Sequence, residues 1–153
     1  MTTSGAAGGG RAAKPGSAGA PPVRGGVIRV SDTPAVHGLA GHPGTAAHRL
    51  VRPGTEWSRW LHLTLNVIEQ HGGIEPHYHD GVEADHAYFV LSGTLRARID
   101  DKEFDAGPDE LLIFPCGAVH GFTVTSPEGA RVLRLGAAAD GKTSGNSVFV
   151  DLE

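Results

Sequence analysis

The stretch PHYHDGVEADHAYFVLSGTL, residues 76–95, decides how the chain is to be read. It holds His77, His79 and His86 within ten positions. On a strand, residues i and i+2 point to the same side, so His77 and His79 aim two imidazoles together, as a shared metal ion requires. His86 opens the next apolar run, HAYFVL (86–91), on which Tyr88 and Val90 share its face. That run and TLRARID (94–100) flank Ser92-Gly93, a short hairpin signal.

The rest of the chain carries the same punctuation. Short apolar runs recur between Gly, Pro and Asp. VIRV (27–30) and HRLVR (48–52) are strand candidates, and DTPAVHGLAG (32–41) is the one place for a short helix. WLHLTLNVIE (60–69) alternates strictly, with Leu61, Leu63, Leu65 and Val67 on one side and His62, Thr64, Asn66 and Ile68 on the other. EFDAGPDELLIFP (103–115) places a Gly-Pro-Asp turn before a buried strand. HGFTVT (120–125), ARVLRLG (130–136) and SVFVDLE (147–153) complete the set. Many short strands at regular spacing predict an all-β sandwich or closed barrel. A small barrel can enclose one ligand or metal.

Composition narrows the function. Residues 1–26 contain seventeen Gly, Ala or Pro and no acidic residue, so they are expected to be a disordered tail. The single domain is expected over 27–153. It carries ten Lys/Arg against seventeen Asp/Glu, a balance that argues against nucleic acid as a partner. No apolar stretch approaches a membrane span. One cysteine excludes an internal disulfide and a Cys-based zinc site. The expectation is a soluble, cytoplasmic protein with a small-molecule substrate.

A second motif lies far along the chain. PCGAVHGF (115–122) has a Pro-x-Gly turn that delivers His120 onto a new strand. With Gly72, His77-Tyr78-His79, His86 and Gly93 ahead of it, and Gly107, Pro115, Gly117 and His120 in order, the chain resembles the cupin superfamily. The motifs cover roughly 71–125. The resemblance implies a double-stranded β-helix, or jelly-roll barrel, paired into a homodimer. It also implies one divalent transition metal held by His77, His79, His86 and His120. Fe2+ is expected first, with Mn2+, Ni2+ or Zn2+ as alternatives. The family usually has a Glu seven residues before the hairpin Gly, and here that position is His86, with a loop about two residues longer than usual. The rival ligand is Glu83, which fits the His-x-His-x-x-x-Glu spacing but would shift the following strand.

Four neutral imidazoles leave the full charge on the ion, making it a strong Lewis acid that attracts enolate or 1,3-diketonate groups. Binding is expected to fail below about pH 6, where an ordinary histidine protonates. Tyr88 and His62 are the catalytic candidates, Tyr88 as a proton donor on the inward face and His62 as the general acid/base if its strand turns its polar side inward. Asp80, Glu83 and Asp85 are candidates for orienting the imidazoles, or else belong to a solvated loop. Cys116 has no activating neighbour. His37, His42, His48 and His71 are expected in loops. Trp57 and Trp60 are expected to close a barrel end or pack a dimer, and Arg96 and Arg98 to face outward. The region after the second motif resembles quercetinase-like cupins, which implies an oxygenase. The alternatives are a redox-neutral cyclase or isomerase, as in cupin polyketide cyclases, and a non-catalytic binding domain.

Overall fold

The computed structural model describes residues 23–81, 85–137 and 146–151. Among them the chain makes one 3₁₀ turn, Val30–Asp32, and eleven strands. These are β1 (Ala35–Val36), β2 (Thr45–Val51), β3 (Leu61–Ile68), β4 (Gly73–Asp80), β5 (His86–Ser92), β6 (Leu95–Ile99), β7 (Lys102–Ala106), β8 (Leu111–Phe114), β9 (His120–Val124), β10 (Ala130–Ala137) and β11 (Asn146–Phe149). The expected all-β jelly roll is what forms. One sheet runs β1-β2-β3-β10-β5-β8 and the other β11-β4-β9-β6-β7. No helix among the described residues is long and apolar enough to cross a membrane. Residues 1–22 of the expected tail, and Glu83, lie outside the described residues.

Three local expectations are corrected. Residues 27–30 are not a strand; Val27 is exposed and the chain bends into the 3₁₀ turn. Residues 32–41 hold no α-helix, because Pro34 and the positive-φ Gly38 and Gly41 break it into turns around β1. The hairpin at Ser92-Gly93 is instead a corner between the sheets, since β5 belongs to the first and β6 to the second. Leu95 and Ala97 are fully buried on a strand that pairs with β9, so burial overrides the local turn signal. Gly93 turns the corner at φ 83°, and the Thr94 amide donates to Ser126 Oγ at 2.9 Å.

The space between the sheets is apolar at one end and polar at the other. Ile68, Ile74, Val90, Leu95, Phe122, Val124 and Val132 are buried in one cluster. Each large apolar side chain so buried contributes about 1.5–3 kcal/mol. Further along the same strands the inward positions become histidines: β3 passes from Ile68 to His62, β5 from Val90 to His86, and β9 from Val124 to His120. One fold thus has a core at one end and a site at the other.

β4 needs a device to serve both ends. Its register against β9 shifts between Ile74 and His77. Ile74 and His77 are both buried although they are three residues apart, while the intervening Glu75 is exposed. A bulge adds one residue and re-aims the side chains beyond it. Pro76 within it has no amide to lose from the ladder. Gly121 sits opposite; a Cβ there would lie 2.7 Å from the Ile74 carbonyl oxygen.

Candidate metal centre

The bulge brings His77 directly across the ladder from His120. Such opposed residues have side chains in contact, and the two rings lie 4.5 Å apart between centroids. His79, two residues on, has its ring 4.7 Å from His77 and 5.3 Å from His120. Each of the three offers a ring nitrogen, and these atoms all lie within 4.8 Å of one another.

Backbone carbonyls set the tautomers. His77 Nδ1–H donates to the Glu75 carbonyl at 2.8 Å, and His120 Nδ1–H to the Ala118 carbonyl at 2.8 Å. Each ring then presents an Nε2 lone pair, and the arrangement is one in which the second nitrogen orients a ligating imidazole. His120 Nε2 is buried with no hydrogen-bond partner. An unsatisfied buried acceptor costs about 1–3 kcal/mol, and a metal ion would remove that cost. The donor set therefore fits a divalent transition ion.

Protonation fits as well. Burial, then repulsion from His77, His120 and Arg134, lowers His79 to about 4. Burial is also the main cause lowering His120 to about 4, only partly offset by its bond to Ala118. Burial lowers His77 in the same direction. These imidazoles are neutral, as ligands must be. Between about 4 and the ordinary 6.5, the unfolded chain binds protons that the folded chain refuses, so folding stability falls as pH drops through that window. The melting temperature of chelator-stripped protein should be flat above pH 7 and decline steadily below about 6.5. An unchanged melting temperature down to pH 4.5 would contradict the assignment. Loaded protein should keep its metal at pH 5, below the limit set by an ordinary histidine.

His86 begins β5 as expected, buried, with its ring 4.6 Å from His79 and 6.1 Å from His120. Its Nε2 lies 2.9 Å from Arg134 Nη2, which donates to it. The structure thus brings three of the four expected ligands together and sets the fourth beside them, engaged with an arginine.

The polar side of β3 faces inward, which places His62 in the site. His62 pairs across the ladder with Gly136, and Gly136 pairs on its other side with His86. No side chain stands between them at that position, and Arg134 contacts both imidazoles. Arg134 Nη1 lies 3.1 Å from His62 Nδ1, and His62 Nε2 lies 2.9 Å from Thr64 Oγ1. Burial and then Arg134, with smaller effects from Arg49 and Arg52, lowers His62 to about 4. Tyr88 is buried at 2% exposure, and burial raises its hydroxyl, so it stays protonated.

A cavity of about 490 Å³ opens onto this cluster. His62, Tyr88, His77, His79 and Arg134 all line it. Arg134, Arg49, Arg52 and His42 were not legible as site residues. His42 is in a loop as expected, yet it packs 6.3 Å from His77. His48 is on β2, not in a loop, with Nδ1 bonded to the Thr33 carbonyl. Asp85 holds the second motif's turn through the Cys116 amide at 2.9 Å rather than an imidazole, and Asp80 is exposed. Trp60 is largely exposed, Arg96 faces outward onto Asp105, and Cys116 is an exposed thiol.

The jelly roll thus carries three histidines close enough together to share one metal ion. Residues 64–136 match the family model of the cupin domain, and this part of the chain is a cupin domain. The fold is similar to that of the polyketide cyclase RemF from Streptomyces resistomycificus, with TM-score 0.69 and 22% identity over 85% of this chain and 88% of that one. It is also similar to a predicted oxalate decarboxylase from Thermotoga maritima, with TM-score 0.63 and 14% identity over 72% and 97% of the two chains. A cupin sugar phosphate isomerase from Silicibacter pomeroyi has TM-score 0.61 and 21% identity over 74% and 76%. No curated protein matches the sequence.

Proposed function

We propose that the chain is a mononuclear metal-dependent enzyme acting on a small, enolisable carbonyl compound without net redox change, as a cyclase or isomerase. The observation that carries this is the convergence of His77, His79 and His120, with the buried His120 Nε2 left unsatisfied. A divalent ion bound there supplies Lewis-acid polarisation of a carbonyl. His86 is the fourth ligand in this proposal once Arg134 releases it. Tyr88, protonated and inside the cavity, donates a hydrogen bond to oxygen on which charge develops. His62 is neutral and becomes a proton acceptor when Arg134 turns to another partner. The fold's likeness to a polyketide cyclase supports a redox-neutral reading over the oxygenase expected from sequence. Open coordination positions beside three histidines keep dioxygen chemistry as the second reading.

Reconstitution with Fe2+, Mn2+, Ni2+ or Zn2+ and elemental analysis should give about one ion per chain, the stoichiometry of a single histidine site. No retained ion with any of the four would overturn the proposal. Under nitrogen, the loaded protein should catalyse deuterium exchange at the α-carbon of an aryl ketone. Oxygen uptake without such exchange would move the reading to the oxygenase.

A further inference from the structure

The cavity is far more cationic than the chain that builds it. The chain has net charge −4. Yet Arg49, Arg52 and Arg134 line the cavity, and no Asp or Glu does so among the described residues. Two of these arginines are placed by register: Arg49 pairs with Thr64 across β2–β3, and Thr64 pairs with Arg134 across β3–β10. They stand in one row on the inner face, on either side of a single threonine. Two strand spacings, about 9.6 Å in all, separate the two backbones across β3, a span that two arginine side chains can close on one small anion. Arg52 joins them beyond the register shift that ends β2. Like charges gathered in this way repel and lower stability unless an anion offsets them.

We infer that Arg134, with Arg49 and Arg52, forms a subsite for a carboxylate carried by the substrate, separate from the carbonyl presented to the metal. This rests on the function proposed above and names its substrate class: a keto or enol acid. A guanidinium matches a carboxylate with two parallel N–H···O bonds. The charged carboxylate is a stronger acceptor than the imidazoles of His62 and His86, which Arg134 contacts here. Binding the substrate's carboxylate therefore draws Arg134 away and leaves both imidazole lone pairs to the reaction. Leu39, Ala40, Ala47 and Pro53 supply an apolar wall for the organic body. The volume, about 490 Å³, is in the range of small-molecule sites.

The test is calorimetric titration of the full-length protein with 2-naphthoate and with its neutral analogue 2-naphthamide, with metal content measured on the same samples. Naphthoate should bind and the amide should not. Arg134→Gln, and separately the pair Arg49→Gln with Arg52→Gln, should each weaken naphthoate by at least about tenfold, the scale of a lost charge-assisted bond. Arg134→Lys should recover part of the loss. Thermal melts identify a variant that has failed to fold, and the Arg49/Arg52 double variant keeps the test open if Arg134→Gln does so. Equal binding of acid and amide, affinity unchanged by the substitutions, or no naphthoate binding would overturn the subsite. So would inorganic phosphate displacing naphthoate more readily than acetate does, which would reassign the arginines to a phosphate-bearing substrate. Naphthoate binding in protein that holds no metal would leave the subsite standing and remove the metal proposal. Metal without naphthoate binding would do the reverse.

Discussion

In His120→Ala the metal content should fall to background, with affinity for Zn2+ reduced more than about a hundredfold, beyond the loss typical of changes around a ligand. His120 supplies the lone pair with no other partner and lies directly opposite His77, so nothing adjacent replaces it. His77→Ala should behave the same way. His86→Ala should retain measurable metal, because its Nε2 is engaged by Arg134 and its nitrogen is outside the group of three. Elemental analysis and competition with a chromogenic chelator give the ranking. Equal, complete loss in His86→Ala would make His86 a full ligand and show that loading breaks the Arg134 contact. Unchanged metal in His120→Ala would place the ion elsewhere.

Gly93→Ala should be strongly destabilising. The residue sits at φ 83°, and a Cβ there would fall on the Gly129 carbonyl oxygen, 2.7 Å from Ser126 Oγ and 2.8 Å from Ala130 Cα. Left-handed strain and overpacking against backbone together cost on the order of 3 kcal/mol. For a chain of this size that lowers the melting temperature by roughly 10 °C. Gly117→Ala is the control. Its φ is 76°, but nothing lies within 4 Å of the added carbon. It should lose only the conformational preference, about 1 kcal/mol. Circular dichroism melts compare the two. Equal losses would mean that the close approach at the corner is not what the glycine protects.

These sites also show how much of the molecule was legible in advance. The cluster was readable because ligation imposes spacing on the sequence itself: His77 and His79 two apart on one strand, and His120 behind a Pro-x-Gly turn. The strand set was readable for the same reason, since burial leaves alternation. The corner at Gly93 was misread because a turn's residues do not say which sheet receives the next strand. β3 was ambiguous because its leucines occupy one side and its histidine, threonine and asparagine the other, and the polar side is the one turned inward. Arg134 was missed for a deeper reason. In ARVLRLG both sides of the strand carry apolar residues, so no alternation marks the arginine as inward. Only pairing with Thr64 on one side and Tyr88 on the other reveals its place.

The slip in β4 makes that strand behave like a reading frame. Before Glu75 the inward residues fall on one parity, at Ile74; after Pro76 they fall on the other, at His77 and His79. Exchanging the exposed Glu75 for another residue leaves the frame intact. Ironing out the bulge with every residue kept would turn Tyr78 and Asp80 toward the interior and both histidines to solvent, whereas removing Glu75 leaves Ile74 and His77 two apart and on one side. Sequence drift at this point is therefore tolerated in letter, while length and slip must change together.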